Sequence, residues 1–179
     1  MPTYVAFLRA INLGRTRPFP KADIITATEV AGGSDVATHI NTGNVLLASS
    51  LRSRTKVEAA LEAAYEADRG FAVPAIVFTP AELCQIAADA DELGHRLGHD
   101  GRHYVSLLKD TPTAAATKVI EAAGSDGERA VVRGRAVHLL IDGDYHSASL
   151  TNAQVEKALG IATNRNITVI RALVEKWCG

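Results

Sequence analysis

Three short polar segments hold residue types suited to binding an anion. The first runs from Arg9 to Lys21, where Arg9, Arg15, Arg17 and Lys21 appear with no acidic residue before Asp23. Asn12 and Gly14 let this stretch turn tightly, and Pro20 suits the first position of a helix. A basic loop feeding a helix N-terminus offers guanidinium forks, backbone N–H groups and the positive end of a helix dipole. The same residues also read as an ordinary solvated loop, because their glycine spacing matches no phosphate-binding loop. The second segment is Asn41-Thr42-Gly43-Asn44. Its amides and hydroxyl can face a ligand or serve the turn itself. The third is Thr163-Asn164-Arg165-Asn166-Ile167-Thr168, just ahead of an amphipathic helix. Capping by Asn166 or Thr168 explains part of it and leaves Arg165 over.

Other candidates are weaker. His95, His99 and His103 are spaced for one helical face, as a zinc site would need, but Gly94, Gly98 and Gly101 argue for a loop there. Asp142-Gly143-Asp144 reads as turn chemistry. Cys84 falls on the apolar face of a helix beside Leu83 and Ile86, an inert position, and Cys178 reads as a passive exposed thiol. No nucleophile elbow, Walker loop or dinucleotide fingerprint occurs. An acid–base residue cannot be named, with His39 and His146 lying nearest the polar segments.

The elements that must position these residues follow from periodicity. Thr3–Ile11 is a compact apolar run and reads as a buried strand. A helix spans Lys21–Ala31, stopped by Gly32-Gly33. Strands over Val36–Ile40 and Asn44–Ser49 flank the tight turn. Over Arg54–Asp68, Val57, Leu61, Ala64 and Tyr65 share one helical face, and Glu58, Glu62 and Glu66 are expected to face water. Phe71–Phe78 closes a β-α-β-β-α-β order, the ferredoxin-like arrangement. Beyond it, Thr79-Pro80-Ala81-Glu82 opens a helix expected to reach about Ala90, followed by a loop or frayed helix over Asp91–Arg102. A strand over His103–Leu108, a helix from Thr111-Pro112, and a hairpin of Arg129–Arg133 with Ala136–Ile141 come next. A second capping box, Thr151-Asn152-Ala153-Gln154, starts a helix that stops at Gly160. The last helix spans Asn166–Trp177, burying Val169 or Ile170, Leu173, Val174 and Trp177. It stands where the final strand of a second repeat of this order would fall.

The expected fold is therefore α/β of the α+β type. Two ferredoxin-like βαββαβ-type modules span residues 1–79 and 80–179, the second followed by a C-terminal helix. With 19 basic and 20 acidic residues in 179, the net charge of -1 excludes a polycation for duplex DNA or anionic membrane. Apolar runs are too short to span a bilayer, and the N-terminus lacks signal-peptide features, so a cytoplasmic location is expected. Two distant cysteines make neither a disulfide framework nor a thiolate metal site.

Three stretches resemble one family. YVAFLRAINLG, DVATHINTGNVLL and EKALGIATNRNITVIRAL are similar, in order and spacing, to segments of the bacterial proteins with the domain of unknown function 1697. The likeness runs from Tyr4 to about Lys176 and implies two ferredoxin-like modules and no established activity. It carries Arg9, Asn12 and Gly14, then Gly43 and Asn44, then Thr163, Arg165, Asn166 and Thr168. These coincide with the three polar segments. Ala10 and Arg15 depart from glycines usual in the family, and Ala148 and Ser149 stand where the Ser-Lys of a Ser-Lys-Leu is usual, removing one cation.

The expected function is binding of an anionic small molecule or nucleotide through Arg9, Asn12, Gly14, Arg15, Gly43, Asn44, Thr163, Arg165, Asn166 and Thr168. Neither cofactor nor metal is implied. An enzyme acting on a small phosphorylated or carboxylated metabolite is one alternative. A structural protein is another, as monomer or as a homodimer paired through sheet edges. Nucleic acid is weakly supported, since nine aromatics show no interleaving with basic residues.

Overall fold

The computed structural model describes residues 1–179. The chain folds into two compact units, Met1–Pro80 and Ala81–Gly179. Each is a four-stranded antiparallel sheet built in ferredoxin-like order, so the fold is the expected α+β one.

Unit 1 comprises β1 (Thr3–Leu8), α1 (Lys21–Val30), β2 (Gly33–His39), β3 (Asn44–Ser49), α2 (Arg54–Arg69) and β4 (Ala75–Phe78), with sheet order β2-β3-β1-β4. β1 is shorter than its apolar run, because Ala10 and Asn12 take left-handed backbone at φ 56° and 52° and turn the chain away. Pro20 is the N-cap of α1 rather than its first helical residue. One face of the sheet packs Tyr4, Ala6, Leu8, Val45, Leu47 and Val77 against Ile24, Leu61 and Tyr65 of the helices.

Unit 2 comprises α3 (Pro80–Leu97), β5 (Arg102–Leu108), α4 (Ala114–Ala122), β6 (Glu128–Arg133), β7 (Ala136–Ile141), a single 3-10 turn at Tyr145–Ser147, α5 (Asn152–Leu159), β8 (Ala162–Asn166) and α6 (Ile167–Trp177). The sheet order is β6-β7-β5-β8. Contrary to expectation, the last helix does not take the place of the final strand but follows it. β8 pairs with β5 from Tyr104↔Asn166 to Leu108↔Ala162, completing the second βαββαβ set. Its sequence, ATNRN, carries no apolar alternation, so pairing with β5 defines it, although Ala162, Thr163 and Arg165 are buried. α3 outruns its expected end by two turns. Gly94 is accommodated within it, and Gly98, at φ 60°, supplies the left-handed stop. Thr151 is the N-cap of α5 without a side-chain bond, so that capping box is not formed. In α6 the buried residues are Ile167, Ile170 and Leu173, while Val174 and Trp177 are half-buried.

Glutamates from the helices cover sheet edges. Glu58 is only 2% exposed, contrary to its expected solvent position. Its Oε1 accepts from Val77 N–H at 3.0 Å, and Glu62 accepts from Ala75 N–H at 2.9 Å, both on edge strand β4. Arg54 pairs with Glu58 at 3.0 Å from the preceding turn of α2. In unit 2, Glu121 accepts from Val132 N–H on β6 and Glu156 from Ala162 N–H on β8, at 2.9 and 3.0 Å. Such contacts occupy the edge donors that another strand would need. No helix is long and apolar enough to cross a membrane.

Candidate functional site

The first two polar segments meet within unit 1. Asn12, left-handed after β1, accepts from Phe19 N–H at 2.7 Å and donates through Nδ2 to Phe19 O at 3.0 Å and Asn41 O at 2.8 Å. One amide thus closes its own loop and ties it to the β2–β3 turn. Inside that loop Leu13 and Thr16 bridge, setting Gly14 and the exposed Arg15 at the tip. Arg17 donates to Ala10 O at 2.5 Å and to Ala72 O, and lies 4.4 Å from the centre of the Phe71 ring. Arg9 is half-buried, its N–H bonded to Pro74 O at 2.9 Å. Gly43, at φ 77°, is crowded: a Cβ there would lie 2.6 Å from Leu8 Cβ. Asn44 is fully buried, its amide donating to His39 O and Thr42 Oγ1, each at 3.0 Å. Asn12, Gly43 and Asn44 therefore all have local structural work.

The third segment lies in unit 2. Thr163 and Arg165 are buried on β8, and Arg165 donates to Thr163 Oγ1 at 2.9 Å and Asn164 O at 2.7 Å. Burial draws its guanidinium down to about 10. Asn166 is the N-cap of α6 and accepts from Thr168 N–H and Thr168 Oγ1, each at 2.9 Å, which is the capping alternative.

The face of the unit 2 sheet that carries Arg165 holds two further polar groups that sequence reasoning missed. Val105 pairs with His138 on one side and Arg165 on the other, and His103 follows two residues along the same face of β5. His138 is 0% exposed, and its Nδ1 lies 2.9 Å from His103 Nε2. Burial first, then the charge of His138, lowers His103 to about 3. Burial, then Arg133, lowers His138 to about 4. Both rings are neutral at neutral pH and share one proton across the bond. His138 Nε2 is buried without a partner. The available signal was a histidine inside the otherwise apolar strand AVHLLI.

His103 also lines a cleft of about 310 Å³, with Ala90, Asp91 and Gly94 of α3, His99 and Asp100 of the following loop, and Ile167 and Arg171 of α6. Arg171 meets Asp91 across it at 2.6 Å. A second cleft of about 300 Å³ adjoins His99, with Asp126, Glu128, Arg129 and Asp142 in its wall. Three carboxylates against one arginine make that cleft unsuited to an anion. His99 contacts Arg102 O at 3.0 Å and Asp142 Oδ1 at 3.2 Å, so it bridges loop and strand. Asp144 instead pairs with Arg102. His95 sits exposed in the last turn of α3, and no three His, Cys, Asp or Glu side chains gather as a metal site.

Residues 1–138 match the model of a family described as proteins of unknown function, DUF1697. The chain belongs to the DUF1697 family. The matched range holds the first two polar segments, while the Thr163–Thr168 stretch of this DUF1697 protein lies beyond it. Its fold is similar to that of a conserved bacterial protein from Streptococcus pneumoniae, with a TM-score of 0.75 over 100% of this chain and 99% of the other, at 14% identity. That likeness is one of fold. No curated protein matches.

Proposed function

We propose that this DUF1697 protein binds a small molecule bearing a carboxylate or phosphate, seated in the cleft walled by α3 and α6. The supporting observation is the His103–His138 bond behind that cleft. A stranded buried N–H is more costly than a stranded lone pair. His138 therefore leaves Nε2 bare and donates from Nδ1 to His103 Nε2. His103 then carries its own hydrogen on Nδ1, the nitrogen left for the cleft. A neutral N–H donor and the Arg171 guanidinium suit one anionic group, which would take the place of Asp91 on Arg171. Asp91 and Asp100 then favour a ligand that also carries an amine, such as an amino acid. The volume is at the low end for small-molecule sites, about 300 Å³, which suits one metabolite and not an oligonucleotide.

Binding is favoured over acid–base catalysis. A histidine lowered to about 3 is far from the operating pH that a general base needs. A second reading seats the anion on the loop after β1, around Arg9, Asn12, Gly14, Arg15, Gly43 and Asn44. The exposed Arg15 supports it, and the internal bonds of Asn12 and Asn44 weigh against it.

A thermal-shift panel of phosphate, sulfate, amino acids and nucleoside monophosphates separates the two. A ligand at a hundred times its Kd adds roughly 2.7 kcal/mol. A shift that Arg171→Ala abolishes and Arg15→Ala keeps supports the cleft. The reverse pattern moves the ligand to the loop. No shift at millimolar concentration overturns both.

A further inference from the structure

We propose that Cys84 and Cys178 form an intramolecular disulfide on exposure to a low-molecular-weight disulfide, fastening the end of α6 to α3. The two cysteines are far apart in sequence, and the second was expected to be exposed and passive. Both are half-buried, lie in the same unit and are not joined in a disulfide.

The register of the two helices brings them together. Asp91 of α3 meets Arg171 of α6 at 2.6 Å, and Gly94 shares a cleft wall with Ile167. As the number rises along α3 it falls along α6, so the two helices run in opposite directions along that cleft. Cys84 lies seven residues before Asp91, and Cys178 lies seven residues after Arg171. Seven residues are close to two turns, about 10.5 Å of axial rise, so Cys84 returns to the Asp91 face of α3, and Cys178, one residue past the end of α6, lies at about the same level. Cys84 is the neighbour that acts on the Cys178 thiol: burial, and then the Cys84 sulfur, push that thiol up to about 11. Cys178 is the C-cap of α6, at φ -118° and ψ 2°, just beyond the last helical residue.

The chemistry is thiol–disulfide exchange. One protein thiolate attacks a sulfur of the small disulfide, forming a mixed disulfide and expelling one small thiolate. The second cysteine loses its proton and attacks the protein sulfur of that mixed disulfide, expelling the second. Two protein thiols are oxidised to one disulfide, one small disulfide is reduced to two thiols, and no other reductant or oxidant enters. The thiolate is the attacking form, so closure accelerates from pH 7 to pH 9.

The test is oxidised glutathione added to the full chain, followed by thiol titration, intact mass and non-reducing peptide mapping. The expected product is monomeric, has lost two hydrogens, titrates no thiol, joins the Cys84 and Cys178 peptides, and reverts with a dithiol reductant. Cys84→Ser is expected to fold and to stop at a glutathione adduct or a free thiol. Two titratable thiols after prolonged exposure at pH 9, two glutathione adducts per chain, or disulfide-linked dimers would each overturn the proposal. Equal closure rates for wild type and an Arg171→Ala variant that stays folded would overturn the part assigned to helix register.

Discussion

His103 and His138 sit diagonally on neighbouring strands and share one hydrogen bond of 2.9 Å between Nε2 and Nδ1. Neither ring can accept a second proton without placing charge beside its neighbour in a poorly solvated site. In the unfolded chain each ring binds a proton near pH 6.5, while in the fold the affinities fall to about 3 and about 4. Between these limits the unfolded state holds more protons, so stability rises with pH. The contribution is full above pH 6.5 and is lost as pH falls toward 4 and 3. Melting midpoints of wild type and a His103→Leu/His138→Leu variant, compared from pH 7.5 to pH 4, should diverge in slope. Wild type is expected to fall more steeply, and parallel curves would contradict the pairing.

Position 43 tolerates no side chain. Its φ of 77° and the 2.6 Å approach to Leu8 Cβ combine two penalties. Gly43→Ala should cost about 2–4 kcal/mol by chemical denaturation. Gly14→Ala, at φ 60° with open space around it, should cost about 1 kcal/mol. Equal losses would mean that backbone conformation alone decides, without packing.

Asn12 has both a backbone role and a side-chain role, and these separate experimentally. Asn12→Gly keeps the left-handed turn at φ 52° but removes the bonds to Phe19 and Asn41. It should lose about 1–3 kcal/mol and speed amide exchange at Phe19. Asn12→Ala should lose more, because alanine also resists that backbone.

Removing Glu58 takes an acceptor from edge strand β4 and the partner from Arg54. Glu58→Ala should cost about 2–4 kcal/mol and raise light scattering as the edge becomes available for pairing. Glu58→Gln keeps an amide oxygen, so it should scatter less than Glu58→Ala.

Most of the fold was legible because it rests on apolar periodicity. TYVAFL, AIVF and AVHLLI are strands by composition, and the spacing of Val57, Leu61 and Tyr65 marks α2. β8 was not legible, because ATNRN is a strand through backbone pairing with β5 and carries no apolar alternation. The solvent position assigned to Glu58 failed for a related reason: helical spacing identifies a face, but not which edge strand needs an acceptor. The contact of Asn12 with the Asn41 turn makes one neighbourhood of two polar segments, and their separate sequence signals did not show that internal bonds would occupy them. The histidine pair depends on β5–β7 register across thirty-five residues, which no local pattern encodes.

The antiparallel register of α3 and α6 bears on how this chain can change length. One residue inserted between Cys84 and Asp91, or between Arg171 and Cys178, would rotate everything beyond it by about 100°. Either the ion pair or the proposed cysteine pairing would then be lost, whichever end of the helix moved. Substitutions at the exposed positions between them carry no such penalty. The exposed positions of these two stretches should accept changes of residue type, while the stretches refuse single insertions and deletions and loops take up variation in length. A deep insertion scan scored by soluble expression should therefore show two silent gaps, one in each helix, bounded by these four residues.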